Sequence, residues 1–296
     1  QTIFPFIVGK ALYGRVLISI IFILWLPLAF KKASYRPSKS WILIIFSFYI
    51  LAAFISGLQG VSLERSLWST FERMQGIVDL AHWFAILIVM TSILRKSVEF
   101  KYLLNANLAV SVLISIVGLG EYFDIEWIPY YEVLNNRARL GITFGNPSFA
   151  ASYMMVNVLI GIGLLCQSFY STNRETPNPT LTQRQRKRRR RNRQEEGSRG
   201  IKVHVWRSFW SIAIILDFWV MTLTGTRGAA IGLAAGLTIL AIGYIIFSQH
   251  TKLKITGSAT LAAFIVIAGL VIVFRNSQPV ESLASRNILV ERLTNL

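Results

Sequence analysis

Cysteine, histidine and charge are all scarce in this 296-residue chain. One cysteine, Cys166, excludes an internal disulfide framework and any multi-cysteine zinc or iron–sulfur site. Charged residues make up 15%, against about 25% in soluble domains, which excludes an ordinary soluble enzyme and a disordered tail. No Gly-rich phosphate loop, HExxH or GxSxG element occurs, and no internal repeat is visible. No cleavable signal pattern leads the chain, and its first residue is Gln rather than Met. The sequence therefore reads as an internal fragment of a longer protein.

The composition is instead apolar: 53% hydrophobic and 12% aromatic, with mean hydropathy +0.51. A bilayer core of about 30 Å needs roughly 20 mostly apolar residues per helix. Eight runs approach that, near 12–30, 40–58, 77–94, 102–120, 147–167, 208–224, 228–247 and 257–274. The sequence thus predicts an all-α, polytopic transmembrane bundle with about eight spans. Helices 1–5 occupy 1–167, with external loops at 59–76 and 121–146. A basic loop follows at 168–207, expected to be disordered and cytoplasmic. Helices 6–8 occupy 208–274, and 275–296 begin a further external loop that continues past Leu296.

The charge distribution gives an orientation. Lys and Arg number 31 against 14 acids, a net charge of +17. One set of alternate loops holds 21 of those basic residues with only four acids, and the positive-inside rule places that set in the cytoplasm. Residue 1 then lies outside, which implies a missing preceding span. The run Arg184–Arg193 packs eight cations into ten residues. No aromatic residue interleaves it to stack bases, so anionic lipid, not nucleic acid, is its expected partner.

On the external side the chemistry-bearing residues are Arg65, Glu72, Arg73, Asp79, His82, Glu121, Arg137, Arg139, Arg227, Arg286 and Arg292. The segment Leu223–Ala229 joins two spans with almost no loop, a tight hairpin. Thr226 can cap the second helix, which puts Arg227 in its first turn. A cation there opposes the helix dipole but adds to the free backbone N–H groups, an arrangement suited to phosphate, the alternative being an Arg that reaches to the membrane interface as an anchor. Gly228, Gly232 and Gly236, four apart, let that helix approach a neighbour closely.

A second segment, Arg137–Ser148, contains Asn146 as a natural N-cap and Pro147 as a natural first helical residue. Gly141 and Gly145 allow the backbone to turn back, which leaves Arg137 and Arg139 two readings, a diphosphate clamp or surface ion pairing with Glu132. Before it lie Tyr122, Phe123, Trp127, Tyr130 and Tyr131, an interfacial aromatic belt. Third, Trp68 and Phe71 suggest a helix lying on the membrane surface. Asp79 and His82, three apart on one helical face, admit a carboxylate-oriented base or a self-satisfied polar pair. Asp217 sits within a span, where a carboxylate is costly and is either paired or functional.

These segments resemble the O-antigen ligase and O-antigen polymerase family of bacterial membrane glycosyltransferases. "LTGTRGAAIGL" (223–233) is similar to that family's Thr-x-Ser/Thr-Arg-Gly signature. "RLGITFGNPSFAASY" (139–153) is similar to its Arg-x-Gly-Thr-Phe-Gly-Asn-Pro-Asn segment, with Ile142 inserted between Gly141 and Thr143. "FPFIVGKAL" (4–12), "SLWSTFERMQG" (66–76) and "LVERLTNL" (289–296) resemble a large-protein subgroup.

The resemblance implies transfer of a glycan from an undecaprenyl-diphosphate carrier to an acceptor hydroxyl at the periplasmic face of the bacterial inner membrane. The acceptor is lipid A core, another glycan or a protein, so ligase, polymerase and protein O-oligosaccharyltransferase stay open. No metal and no cofactor is implied. Arg227 would be catalytic and bind the diphosphate, with Arg139 and Arg137 beside it and Thr226, Asp79 and His82 in support. The family's second Arg and its His would lie mostly beyond Leu296, so the fragment alone would be inactive. A transporter or flippase is the rival from another class; it calls for intramembrane polar sites, and Asp217 alone fits.

Overall fold

The computed structural model describes residues 8–70, 74–125, 139–172, 183–247 and scattered positions between 254 and 262. All regular structure among them is helical: α1 (Val8–Lys31), α2 (Trp41–Leu58), α3 (Leu63–Trp68), α4 (Ile77–Ile93), α5 (Ser97–Tyr122), α6 (Pro147–Thr172), α7 (Gln183–Leu223) and α8 (Arg227–Phe247). Among the described residues six helices are long and apolar enough to cross a membrane: α1, α2, α5, α6, the Val203–Leu223 part of α7, and α8. The 17-residue α4 is apolar but shorter. The chain is a multi-pass helical membrane protein.

Seven of the eight expected spans therefore have a helix, with edges moved by a few residues. The eighth, 257–274, falls mostly outside the described residues, as does 275–296. The basic segment departs from expectation, because α7 begins at Gln183 and runs unbroken into the span. Of the stretch 168–207 expected to be disordered, residues from 183 onward are helical. Arg, Lys, Gln and Glu are good helix formers. Once a span supplies the nucleus, each added residue gains a backbone hydrogen bond at little further cost.

The chain forms two compact units, Gln1–Leu103 and Leu104–Leu296. In the first, α1 packs along α4, with Trp25, Ala29 and Val89 buried between them. Two polar pairs interrupt this apolar seam. The buried Arg15 of α1 donates from Nε to Asp79 Oδ1 of α4 at 3.0 Å, and from Nη2 to the Met74 carbonyl. One turn further along, Ser19 Oγ lies 3.2 Å from His82 Nε2. At the α3–α4 junction Gly76 passes so close to the Leu67 carbonyl that no Cβ fits there. By contrast α2 leaves Trp41, Ile42, Ile45 and Phe48 exposed, as a lipid-facing helix does.

In the second unit, α6 packs against α7 and α8 around Ala150, Met154, Val158, Val220 and Leu233. The glycine spacing of α8 acts as expected at two positions. A Cβ on Gly232 would meet Met155 Sδ of α6 at 2.7 Å, and one on Gly236 would meet Leu159 Cδ1 at 2.6 Å. Gly228 has open space instead.

Apolar contact alone does not drive helices together in lipid, so polar contacts matter more for register. Asp217 of α7 is fully buried and has its partners on α5: Ser111 Oγ donates to Oδ2 at 2.7 Å and Ser115 Oγ to Oδ1 at 2.6 Å. Asn107, one turn before Ser111, donates to Asn157 of α6, and Trp210 of α7 donates to Asn105 of α5 at 2.7 Å. Asn105 excepted, these α5 residues recur four apart and so share one face.

Asp217 therefore clamps α7 to α5. Asp217→Asn retains an acceptor and shape, and is expected to preserve thermal stability in detergent. Asp217→Leu removes both acceptors and is expected to cost about 1–3 kcal/mol, read as a lower midpoint of thermal unfolding. Equal midpoints for the two variants would show that the hydroxyls contribute nothing to helix pairing.

Candidate functional site

The second unit brings three sequence-remote segments together around the α7–α8 hairpin. α7 ends at Leu223, and the Gly225 N–H donates to the Thr222 carbonyl at 3.0 Å. Gly225 has φ 61°, a left-handed conformation that glycine enters without steric cost. α8 then begins at Arg227, as the sequence predicts, and its first intrahelical bonds run from Ala229 and Ala230 to the Thr226 carbonyl. The N–H groups of Arg227 and Gly228 precede those bonds and point out of the helix end.

Arg139 folds back onto this turn. Its Nε donates to the Thr224 carbonyl at 2.9 Å, and its Nη2 donates to Thr226 Oγ1 at 2.8 Å. The expected approach of Arg139 to the hairpin is therefore present. Two of its donors are committed to the hairpin itself. Thr226 likewise engages Arg139 with its hydroxyl while its carbonyl serves the helix.

The loop carrying Arg139 is fixed at its other side by Glu121, at the end of α5. Glu121 Oε1 accepts from Gly141 N–H at 2.9 Å and Oε2 from Ile142 N–H at 2.7 Å. Ile142 is fully buried at φ 48°, an unusual conformation for a β-branched residue. Its side chain reaches Gly118 of α5 so closely that a Cβ there would lie 3.0 Å from Ile142 Cδ1 and from Val220 Cγ1. Asn146 Oδ1 accepts from Ser148 N–H at 2.8 Å and α6 starts at Pro147, as the sequence predicts.

Arg227 itself is exposed, and its guanidinium makes no hydrogen bond or ion pair among the described residues. Glu121 holds the loop that carries Arg139, and Arg139 holds the turn, which presents a guanidinium without a partner among the described residues at the N-terminal end of α8. Such an assembly suits an anion with several oxygens, since guanidinium can donate two parallel hydrogen bonds. Arg137 lies outside the described residues, as do Glu72, Arg73, Trp127, Tyr130, Tyr131, Arg286 and Arg292.

Asp79 and His82 belong to the first unit, and Asp79 does not orient His82. Asp79 binds Arg15 with Oδ1 and accepts from Trp83 Nε1 with Oδ2 at 3.1 Å. His82 Nδ1 lies 2.7 Å from the Val78 carbonyl of its own helix, which requires the proton on Nδ1. Nε2 then faces Ser19. The pair is three apart on α4, yet each side chain is drawn to a different partner on α1.

Sequence reasoning passed over Arg15 because it lies inside an apolar span. It left Glu121 unassigned and gave Asp217 no partner. The spacing of Asn107, Ser111 and Ser115 was the available clue to that partner. Among the described residues no three His, Cys, Asp or Glu side chains gather as a metal site would require.

Comparison of the chain with protein-family models, with curated proteins and with solved structures returns no match.

Proposed function

We propose that this chain belongs to a membrane glycosyltransferase of the O-antigen ligase type. It would use Arg227 to bind the diphosphate of an undecaprenyl-linked glycan at the periplasmic face. The observation that carries this reading is the exposed Arg227 guanidinium at the start of α8, without a partner among the described residues, on a turn braced by Arg139. The motif resemblance around 139–153 and 223–233 supports it. In the reaction the bond between the sugar C1 and the carrier's phosphate oxygen breaks. A new bond forms from C1 to the acceptor oxygen, and the acceptor's proton passes to solvent or to the departing diphosphate. Negative charge grows on the leaving diphosphate, so a fixed cation lowers the barrier most where that charge develops. Arg139 contributes by holding the Thr224 carbonyl and the Thr226 hydroxyl.

Reconstituting the whole protein in vesicles with an undecaprenyl-diphosphate-linked oligosaccharide and a lipid A core acceptor tests the reading. Release of undecaprenyl diphosphate together with a longer acceptor is the expected result. Hydrolysis alone, or no release with lipid, glycan and protein acceptors alike, would sink it.

Orientation has its own test. In a background lacking Cys166, a cysteine at residue 190 is expected to resist impermeant thiol reagents in intact cells. One at residue 135 is expected to react. The expectation follows from the uneven charge of alternate loops. The reverse labelling pattern would put Arg227 on the side away from a periplasmic glycan.

A further inference from the structure

Asp217 is a fully buried carboxyl that the reading above does not use. It lies in the Val203–Leu223 span, where a carboxylate without a paired cation is costly. No Lys, Arg or His bonds to it among the described residues, and both of its oxygens meet serine hydroxyls of α5. Between Tyr102 and Glu121, α5 has no titratable side chain. On α6 the titratable group within electrostatic reach is Tyr153, a phenol. The titratable groups of α8, Arg227 and Tyr244, lie near its ends. Nothing described in the bundle therefore balances a negative charge at Asp217.

The hydroxyl protons decide which form of the carboxyl fits. Ser111 Oγ has one proton but two acceptors in reach, Asp217 Oδ2 at 2.7 Å and the Leu108 carbonyl of its own helix at 2.9 Å. Ser115 Oγ lies 2.6 Å from Asp217 Oδ1, and its other neighbour, Met154 Sδ at 3.4 Å, is a weak acceptor. An ionised Asp217 would take both hydroxyl protons, turn Ser111 from Leu108, and still leave a full charge on two neutral donors. A neutral Asp217 uses every contact. Oδ2 carries the proton and donates to Ser111 Oγ, Ser111 donates onward to the Leu108 carbonyl, and Ser115 donates to Oδ1. These bonds form a chain in which each link polarises the next.

We infer that Asp217 is a proton-binding site: the bundle holds it as the neutral acid, bonded to Ser111, and losing that proton weakens the pairing of α5 with α7. The bond between Oδ2 and Ser111 then points from Asp217 to Ser111, the reverse of its direction for a carboxylate. Gly118 and Val220, three residues beyond Ser115 and Asp217, are the residues that Ile142 wedges against. The proton thus sits about one helical turn from the seat of the Arg139 loop. The inference rests on the contact of α5 with α7 and holds whether or not Arg227 binds a diphosphate.

Infrared spectroscopy on the whole protein in phosphatidylcholine nanodiscs, with isotope-labelled aspartate, tests the proton. This chain has three aspartates, Asp79, Asp124 and Asp217, so few labelled bands compete. At about pH 7 a neutral-acid C=O band is expected in wild type, shifted in Ser111→Ala and absent in Asp217→Asn. Thermal unfolding in detergent tests the pairing. The unfolded chain, open to water, releases a proton that the bundle keeps, so stability falls as pH rises. Between about pH 5 and about pH 8 the wild-type midpoint is expected to drop by several degrees more than that of Asp217→Asn, which cannot ionise. Loss of a carboxylate band in Asp217→Asn with no neutral-acid band in wild type, or midpoints that fall in parallel, would overturn the inference and leave Asp217 a plain acceptor for the two serines.

Discussion

Arg227→Ala is expected to slow the proposed glycan transfer by about 10²–10³-fold, the loss that follows removal of one preorganised donor to a developing oxyanion. Arg227→Lys is the more informative variant. It keeps the charge but offers one compact ammonium in place of a planar fork, and a loss of about tenfold or more is expected. The side chain is exposed and touches no described partner, so neither change should alter expression or thermal stability. Arg139→Ala is expected to reduce transfer too, by releasing the Thr224 carbonyl and the Thr226 hydroxyl. Because Arg139 acts in part through the position of Arg227, the double variant should be less impaired than the product of the singles. Release of undecaprenyl diphosphate, measured with protein levels matched, decides each case. Full activity of the Lys variant would reduce Arg227 to an interfacial anchor.

Gly76→Ala is expected to be the most damaging single-methyl change in the first unit. Most tight glycines in this chain face the ends of flexible side chains, as Gly232 faces Met155. Gly76 faces main chain: the Leu67 carbonyl and Trp68 N, neither of which can rotate away. Relief requires moving α3 from the start of α4, where Gly76 serves as the residue before Ile77. Overpacking of this kind costs roughly 1–3 kcal/mol and more when backbone must move; a loss of about 3 kcal/mol or greater is expected here. Thermal unfolding in detergent measures it. A midpoint within a degree or so of wild type would mean that α3 can shift away from the start of α4 at little cost.

Spans were legible because lipid imposes a simple rule on sequence. A helix such as α2 or α8 must be apolar along its whole length, and its ends fall where charge, Pro or Gly begins. Helix starts were legible for the same local reason: Asn146-Pro147 caps α6 through the Asn146 side chain, and α8 starts at Arg227 as read, although the Thr226 hydroxyl turns to Arg139 and not to the helix N–H groups. The helical start of α7 at Gln183 is not marked by a cap or an apolar period, because helix propensity and continuity with the span carry it.

Partners across the bundle were far less legible. That Asp79 would turn to Arg15 and not to His82 depends on which face of α1 meets α4, and no local pattern states this. Glu121 gives no local clue either. Its importance comes from two consecutive N–H groups twenty residues further along the chain, exposed by a turn that sequence permits without requiring.

Ile142 has a consequence for how the Arg139 loop behaves over time. Its backbone is strained, yet its side chain is wedged beside Gly118 and Val220 in the helical core. The loop therefore cannot relax toward an easier conformation without withdrawing a plug from between α5 and α7. Loop position and helix spacing behave as one mechanical variable. A ligand arriving at the hairpin would meet a surface whose ordering entropy was already spent when the bundle folded. A lesion deep in the bundle that spreads α5 from α7 would slacken the arginine turn as well, without touching it.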